Sequence, residues 1–195
     1  YYIYSLLDIQ NRGLGYLRTL FTLISIIDED SGLPLFQQGS FFYENFNGWS
    51  WQQRQIKKLS SSKIKITLNT PLRIQDKGNL TSDVSFESFF RTVRRRVCLA
   101  AECYCNQRIE AFDENMKEKV KEVAITSQNT YWRKLERYSS RQEKKNSIGG
   151  IMGCIIYTGI LEDFLPWIEL GELLHIGKNT TFGLGSYTTT AVYQG

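Results

Sequence analysis

The 195-residue chain is 42% hydrophobic and 13% aromatic, enough apolar material to bury the core of one domain or of one and a half small ones, which excludes a disordered tail. A formal net charge of +4 is too small for bulk charge alone to argue a polyanionic partner, so any such argument must come from local clusters. No apolar run approaches the ~20 residues that span a bilayer, and the first residues lack a secretory leader's basic and apolar regions, so no membrane partner is expected.

The chain opens on YYIYSLLDIQNRGLG, where Ile3, Leu6 and Leu7 share a helical face before Asn11 and Gly13 end it. Residues 16–27 then alternate Leu17, Thr19, Phe21 and Leu23 against Arg18, Leu20, Thr22 and Ile24, which predicts a strand. Helix, glycine turn and strand recur in the same order at the C-terminus. Residues 1–32 are therefore expected to be the end of a first domain whose earlier elements lie outside this sequence. Asp28 to Gly32 reads as a turn and 33–56 as a connection dense in aromatics. Phe41, Phe42, Tyr43, Phe46, Trp49 and Trp51 could stack on unpaired bases or pack the connection onto its domain, and packing is the commoner role.

From 57 to 195 the pattern is that of a complete β-α-β-β-α-β unit. Ile64, Ile66 and Leu68 alternate with Lys65, Thr67 and Asn69 in a half-buried strand that runs into a turn at Lys77-Gly78. A helix follows, with Ser82 or Asp83 expected to cap it; Phe86, Phe89, Phe90, Val93, Val97, Ala100, Ala101 and Tyr104 line one face. Arg91 and Arg95 point the other way, while Arg96 is expected at the core edge or against a carboxylate. A second, sign-alternating helix to about Ala124 reads as a solvated face. Strands are expected over 130–138, 148–160 and 181–193, with a short helix between the last two capped by Asp163 and carrying Pro166 in its first turn. The fold class is thus α+β and ferredoxin-like, with an antiparallel four-stranded sheet, preceded by the helix, glycine loop and strand that end a second such domain.

Metal chemistry finds no footing. Cys103-x-Cys105 has no second pair and the chain has one histidine, so no metal and no cofactor are expected; the four cysteines fit a reducing cytoplasm. Basic residues do cluster. Arg133, Lys134, Arg137, Arg141, Lys144 and Lys145 interleave with Tyr131, Trp132 and Tyr138, a mixture that suits RNA phosphates and unpaired bases, although a protected sheet edge has the same composition. Arg91, Arg94, Arg95 and Arg96 form a second run. In HIGKNTTFGLG, residues 175–185, Gly177, Gly183 and Gly185 free the backbone for positive φ and exposed amides, and Lys178 adds a charge suited to a phosphate. The sole imidazole, His175, could carry a proton in catalysis or end its helix, and the residues alone favour the second.

The glycines at 177, 183 and 185 match the G-x-G-x-x-x-x-x-G-x-G loop of the CRISPR repeat-associated RNA-binding (RAMP) proteins, with His175 in place of the first glycine. With RYSSRQ at 137–142 and GGIMG at 149–153, the chain most resembles the sixth Cas family, the endoribonucleases that cut precursor CRISPR RNA. That resemblance implies a CRISPR-associated antiviral protein that takes repeat RNA as partner and leaves other effector subunits and a homodimer open. It implies metal-independent cleavage, in which the 2′-OH attacks the adjacent phosphate to leave a 2′,3′-cyclic phosphate and a 5′-OH. Family members usually place their catalytic histidine or tyrosine in the first domain, most of which is outside this sequence. His175 is therefore the one candidate catalytic residue, with Arg133, Arg137, Tyr138, Arg141, Lys144, Lys145, Gly177, Lys178, Gly183 and Gly185 as RNA contacts. The alternatives are a non-catalytic RNA-binding subunit of an effector complex and a ferredoxin-like interaction domain without RNA.

Overall fold

The computed structural model describes residues 2–28, 31–46, 62–76, 78–109, 114–139 and 144–192, with backbone alone for 137–139 and 144–146. It divides into two units, Tyr1–Gln55 and Ile56–Gly195.

In the first unit, helix α1 (Tyr2–Arg12) closes with the Gly13 amide on the Ile9 carbonyl at 2.8 Å. The strand expected over 16–27 contracts to β1 (Ser25–Ile27), because Leu14 and Thr19 bridge each other across a tight turn. Strand geometry needs a continuous run of partners, and only 25–27 finds one. That partner comes from the expected connection: β2 (Pro34–Gln37) and β3 (Ser40–Phe41) complete an antiparallel sheet in the order β1-β2-β3. Asp28 makes the intervening turn, accepting the Ser31 amide on Oδ1 at 2.8 Å. Of the aromatics Phe41 takes the packing role, while Tyr43 and Phe46 stay 63% and 48% exposed. Phe41 stacks between Tyr4 and Tyr43, with centroids at 4.9 and 5.5 Å, and meets buried Phe36 edge-on. Trp49 and Trp51 lie outside the described residues.

The second unit is built on β4 (Lys63–Leu72), whose predicted alternation holds: Ile64, Ile66 and Leu68 are buried. The hairpin β5 (Ile74–Asp76) and β6 (Asn79–Thr81) leads to helix α2 (Phe86–Cys105). The helix cap lies two or three residues later than expected. Ser85 is the N-cap, its Oγ accepting the Ser88 amide at 3.4 Å, while Asp83 accepts the Ser85 amide and hydroxyl and the Ser88 hydroxyl. Asp83 thus secures the capping residue instead of capping. The apolar stripe is buried from Phe86 to Val97 and then runs out, leaving Tyr104 87% exposed.

Helix α3 (Glu114–Glu122) gives Val120 to the core and leads to β7 (Ala124–Arg133), a strand displaced toward the N-terminus from the expected 130–138. A separate ribbon, β8 (Glu136–Ser139) with β9 (Lys144–Ser147), precedes β10 (Gly150–Thr158). Helix α4 (Leu165–Leu174) tolerates Pro166 in its first turn, as predicted, but its N-cap is Phe164, without a side-chain hydrogen bond. Asp163 is turned instead to Lys119 Nζ at 2.7 Å. Strand β11 (Tyr187–Ala191) is shorter than the predicted 181–193 because 180–182 coil into a 3₁₀ turn.

The four-stranded sheet runs β11-β4-β10-β7, antiparallel throughout. With its helices in sequence, this is the ferredoxin-like β-α-β-β-α-β arrangement. One face carries the core, where Phe86 and Phe89 of α2 meet Tyr157 and Tyr187 at 5.1 and 5.4 Å and Phe90 meets Phe164 at 4.8 Å. Two buried hydroxyls are satisfied by carbonyls: Tyr157 donates to Val84 at 2.7 Å and Tyr187 to Ile168 at 2.5 Å. Desolvation pushes both phenols up, Tyr187 well above the usual value. Among the described residues no helix is long and apolar enough to cross a membrane.

Candidate nucleic-acid interface

The glycine loop is fastened to the far end of β4. The Gly185 amide donates to the Pro71 carbonyl at 3.1 Å, the Lys178 amide to the Arg73 carbonyl at 3.0 Å, and the Ile176 amide to the Gly185 carbonyl at 3.0 Å. Ile176, fully buried, plugs the loop into the core. Close approach dictates the glycines at two positions. A Cβ at Gly177 would stand 2.6 Å from the Arg73 carbonyl oxygen and one at Gly185 only 1.8 Å from that of Ile176, and both residues have positive φ.

The loop amides expected to greet a phosphate are thereby partly spent inside the fold. Those of Lys178 and Gly185 hold β4, and those of Phe182 and Gly183 close the 3₁₀ turn onto Asn179 and Thr180. Outward the loop presents the exposed side chains of Lys178, Thr181 and Phe182, of which Lys178 carries the charge.

His175 occupies the C-cap of α4, with φ 54° and ψ 146°. The group that reaches the helix's last carbonyls is Arg96, whose Nε donates to the Leu174 oxygen at 3.0 Å and sets a cation at the negative end of the helix dipole. Of the two expected surroundings for Arg96, the core edge is the one observed.

Arg73 lies in the break between β4 and β5, and sequence reasoning passed over it. It is 9% exposed; its Nη1 donates to the Gly149 carbonyl at 2.6 Å and reaches that of Ser147 at 3.4 Å, at the foot of the β8–β9 ribbon. Its backbone carbonyl meanwhile anchors Lys178. One residue therefore ties the glycine loop to the base of the basic ribbon. Nothing in the sequence pattern marked it: the period-two burial of β4 gives way to an unbroken buried run over 71–74 in which Arg73 stands, and that run shows only in the fold.

Helix α2 completes the arrangement. Arg91, Thr92, Arg95, Arg96 and Leu99 line a cavity of about 210 Å³ together with Arg73, Gln75, Gly177 and Lys178. Five cations face this space. Arg91 is bridged to Asp76 at 3.0 Å; Arg95 and Lys178 have no carboxylate partner among the described residues. The lysines of α3 differ, since Lys117 and Lys121 pair with Glu114 and Glu118 on their own helix and Lys119 with Asp163. The prediction of a solvated face there holds.

The ribbon cluster is only partly gathered. Tyr131 and Arg133 share one face of β7 while Trp132, opposite Ile151, is on the other, and Tyr131 and Trp132 are 58% and 41% exposed. Arg137 pairs across the ribbon with Asn146 and Tyr138 with Lys145, and Lys144 with Ser139. The side chains of Arg137, Tyr138, Lys144 and Lys145, and the whole of Arg141, lie outside the described residues.

A family model described as CRISPR-associated endoribonuclease Cas6 matches residues 66–187, more than half of the chain. Comparison with curated proteins finds no match. Among solved structures, a Cas6 product complex aligns with a TM-score of 0.61 at 12% identity, covering 96% of this chain and 70% of that one. A partial Cas6-RT-Cas1–Cas2 complex aligns at 0.60 and 16% identity over 98% of this chain and 33% of that one. Thermus thermophilus Cas6 gives 0.53 at 12% identity over 73% and 58%. At these identities the likeness attests the fold. Against three further Cas6 structures the chain spans 53–60% of their length.

Proposed function

The chain belongs to the CRISPR-associated endoribonuclease Cas6 family, and from that premise we propose that its second unit grips CRISPR repeat RNA for metal-independent cleavage of the precursor. The observation that carries the reading is the convergence of Lys178 with Arg73, Arg91, Arg95 and Arg96 where the loop meets α2. Cleavage by a neighbouring 2′-OH requires a base at that hydroxyl, an acid at the leaving 5′ oxygen and cations on the phosphate. This unit supplies the cations. Arg133, Arg137, Tyr138, Arg141, Lys144 and Lys145 extend the contact along the ribbon, with Gly177, Gly183 and Gly185 shaping the loop. Other CRISPR proteins are the further partner class, as in the Cas6-RT-Cas1–Cas2 neighbour.

We read His175 as the residue that ends α4 and not as the proton carrier, because the cavity is lined from Gly177 onward and Arg96 takes the helix terminus. His175→Ala should then leave the single-turnover rate on saturating RNA within about threefold. A loss of ~10²-fold or more at unchanged affinity, the scale of general acid–base catalysis, would return His175 to a catalytic role.

The deciding experiment incubates the full gene product with end-labelled repeat RNA in EDTA. A 2′,3′-cyclic phosphate product supports the endoribonuclease. Stoichiometric retention without cutting makes it the non-catalytic RNA-binding subunit, and the absence of salt-sensitive binding would overturn the RNA reading altogether.

A further inference from the structure

We propose that β7 is an interaction edge through which two copies of this chain pair as a two-fold dimer, their β7 strands running antiparallel with Thr130 at the axis.

The two edges of the four-stranded sheet, β11 and β7, run the same hazard, since an unpaired row of N–H and C=O groups invites another strand. They are treated differently. β11 is five residues long, and its Thr189 amide, turned away from β4, donates to the Glu172 carboxylate at 2.9 Å, so a side chain of α4 occupies that edge. β7 is ten residues long, and from Ala124 to Trp132 it carries neither a charge nor a proline, the usual means of discouraging a second strand. Its one such device is a bulge, where the register on β10 slips between Ile125 and Ser127. Beyond the bulge, 127–133 run opposite β10 without a break.

The register says which main-chain groups face out. Thr189 is paired with Ile66, Ile66 with Ile155 and Ile155 with Gln128, and the alternation of bonded and non-bonded pairs carries the outward turn of the Thr189 amide across the sheet to Gln128. With a period of two, Gln128, Thr130 and Trp132 point N–H and C=O off the edge, while Ser127, Asn129 and Tyr131 bond to β10. Among the described residues no hydrogen bond reaches those outward groups.

The row is complementary to itself. A two-fold axis at Thr130 sets that residue opposite Thr130 of the second copy, Gln128 opposite Trp132 and Ser127 opposite Arg133. Opposed side chains then share a face, as an antiparallel pair requires, and the three outward residues exchange two main-chain bonds at each pair. The charge on this stretch, Arg133, meets a serine and not its own copy, and threonine on threonine is a favourable cross-strand pair. This is the isologous match of a two-fold interface. The bonds use the backbone alone, so Tyr131 and Arg133 keep the face they share. At ~3.3 Å per residue the paired stretch is only about 23 Å long, which places the dimer in the weak class.

The test is sedimentation equilibrium of the full gene product without RNA, from about 1 to about 500 µM, a range that covers weak association. The average mass should rise from one chain toward two. Hydrogen exchange read residue by residue should slow with concentration at Gln128, Thr130 and Trp132 and stay constant at Ser127, Asn129 and Tyr131. Thr130→Lys opposes two ammonium groups only in the dimer, and Thr130→Pro removes an outward N–H while sparing the bonds to β10, the setting in which an edge strand tolerates proline. Each should weaken association at least about tenfold, with a superimposable thermal melt showing that the variant is folded. A mass of one chain throughout would overturn the dimer, and the exchange pattern of wild type decides the matter even where a variant does not fold. A dimer that both folded variants keep would place the contact elsewhere and overturn the role of β7. Amides of 128, 130 and 132 already slow at about 1 µM would mean that another segment of the same protein covers the edge. Slowing only on addition of a different CRISPR protein would give the edge to that partner and refute the second copy.

Discussion

Gly183 and Gly185 share a φ of 77°, so substituting alanine at each imposes the same backbone strain and isolates what the surroundings add. At Gly183 a new Cβ meets nothing within 4 Å, and the cost should be the ~1–2 kcal/mol of a left-handed L-residue. At Gly185 it would stand 1.8 Å from the Ile176 carbonyl oxygen and 3.0 Å from the Ile176 nitrogen, and both are backbone atoms of a fully buried residue that cannot swing aside. Relief means moving the loop off β4, which strains packing by ~1–3 kcal/mol. It also loosens the Gly185–Pro71 and Ile176–Gly185 hydrogen bonds, each worth ~0.5–1.5 kcal/mol. Gly185→Ala should therefore cost roughly 3–6 kcal/mol against ~1–2 for Gly183→Ala, a large part of a typical ~5–15 kcal/mol stability. Urea unfolding followed by tryptophan fluorescence should show the two midpoints separated by about 1 M or more at m-values near 2 kcal/mol/M. Midpoints within about 0.2 M would refute the claim that the loop is clamped through Gly185.

Asp83 is held below the usual carboxylate value, first by the Ser88 hydroxyl and then by the Ser85 amide and hydroxyl. Because the folded value is the lower one, its contribution is complete above the unfolded pKa of about 3.9 and fades as pH falls through the folded value. Asp83→Asn should remove that portion of the acid sensitivity, by under about 1 kcal/mol after solvent screening, in melts between about pH 2 and pH 6. Tyr157→Phe leaves the buried Val84 carbonyl without its donor and should cost about 1–3 kcal/mol in urea titration, with RNA affinity unchanged. Arg73→Met should cost about 1–3 kcal/mol through the Gly149 carbonyl and also weaken RNA, whereas Arg73→Lys should recover stability in part, since an ammonium can donate to both carbonyls as the single Nη1 does but lacks the reach and plane of the guanidinium. Arg95→Ala/Lys178→Ala should stabilise the free protein by a few tenths of a kcal/mol at low ionic strength by relieving repulsion, and the gain should vanish in 1 M salt, where the Debye length is ~3 Å.

What could be read from the chain followed periodicity and close sequence neighbours. Ile64, Ile66 and Leu68 announced β4, and Phe86 through Val97 announced α2, because each pattern has a single period and a single buried face. The same logic failed for β7. As an edge strand whose residues 124–129 are all exposed, it has no apolar alternation to detect, and the eye is drawn to the aromatics further on. It also failed at 16–27, where alternation was present but a continuous ladder of strand partners existed only for 25–27. At the site, the loop and Lys178 were legible from glycine spacing, and Arg91 and Arg95 from their place opposite the apolar stripe. Arg73 was not, since its burial is caused by a loop about a hundred residues later in the chain and by carbonyls of Ser147 and Gly149. A one-dimensional pattern holds no trace of that meeting.

How the arginines are fixed explains why this face, among several rich in Lys and Arg, has a field to offer a polyanion. A cation oriented by a carboxylate is positioned and neutralised together, as with Lys117, Lys119 and Lys121, and little potential extends beyond the pair. A cation oriented by a carbonyl is positioned with its charge intact. Arg73 is fixed by the carbonyls of Gly149 and Ser147, and Arg96 by that of Leu174 at a helix terminus. Among the described residues only Arg91 of the five is bridged, at the rim, to a half-exposed carboxylate. The fold thus uses backbone oxygens, which it must satisfy in any case, to aim guanidinium groups at one small space. Two backbone segments had to come close for this, the 71–73 stretch and the loop, and the bare Cα of Gly177 and Gly185 is what permits the approach. The glycines therefore serve the charge: they let the loop come near enough to 71–73 to set Lys178 beside the arginines that those carbonyls hold.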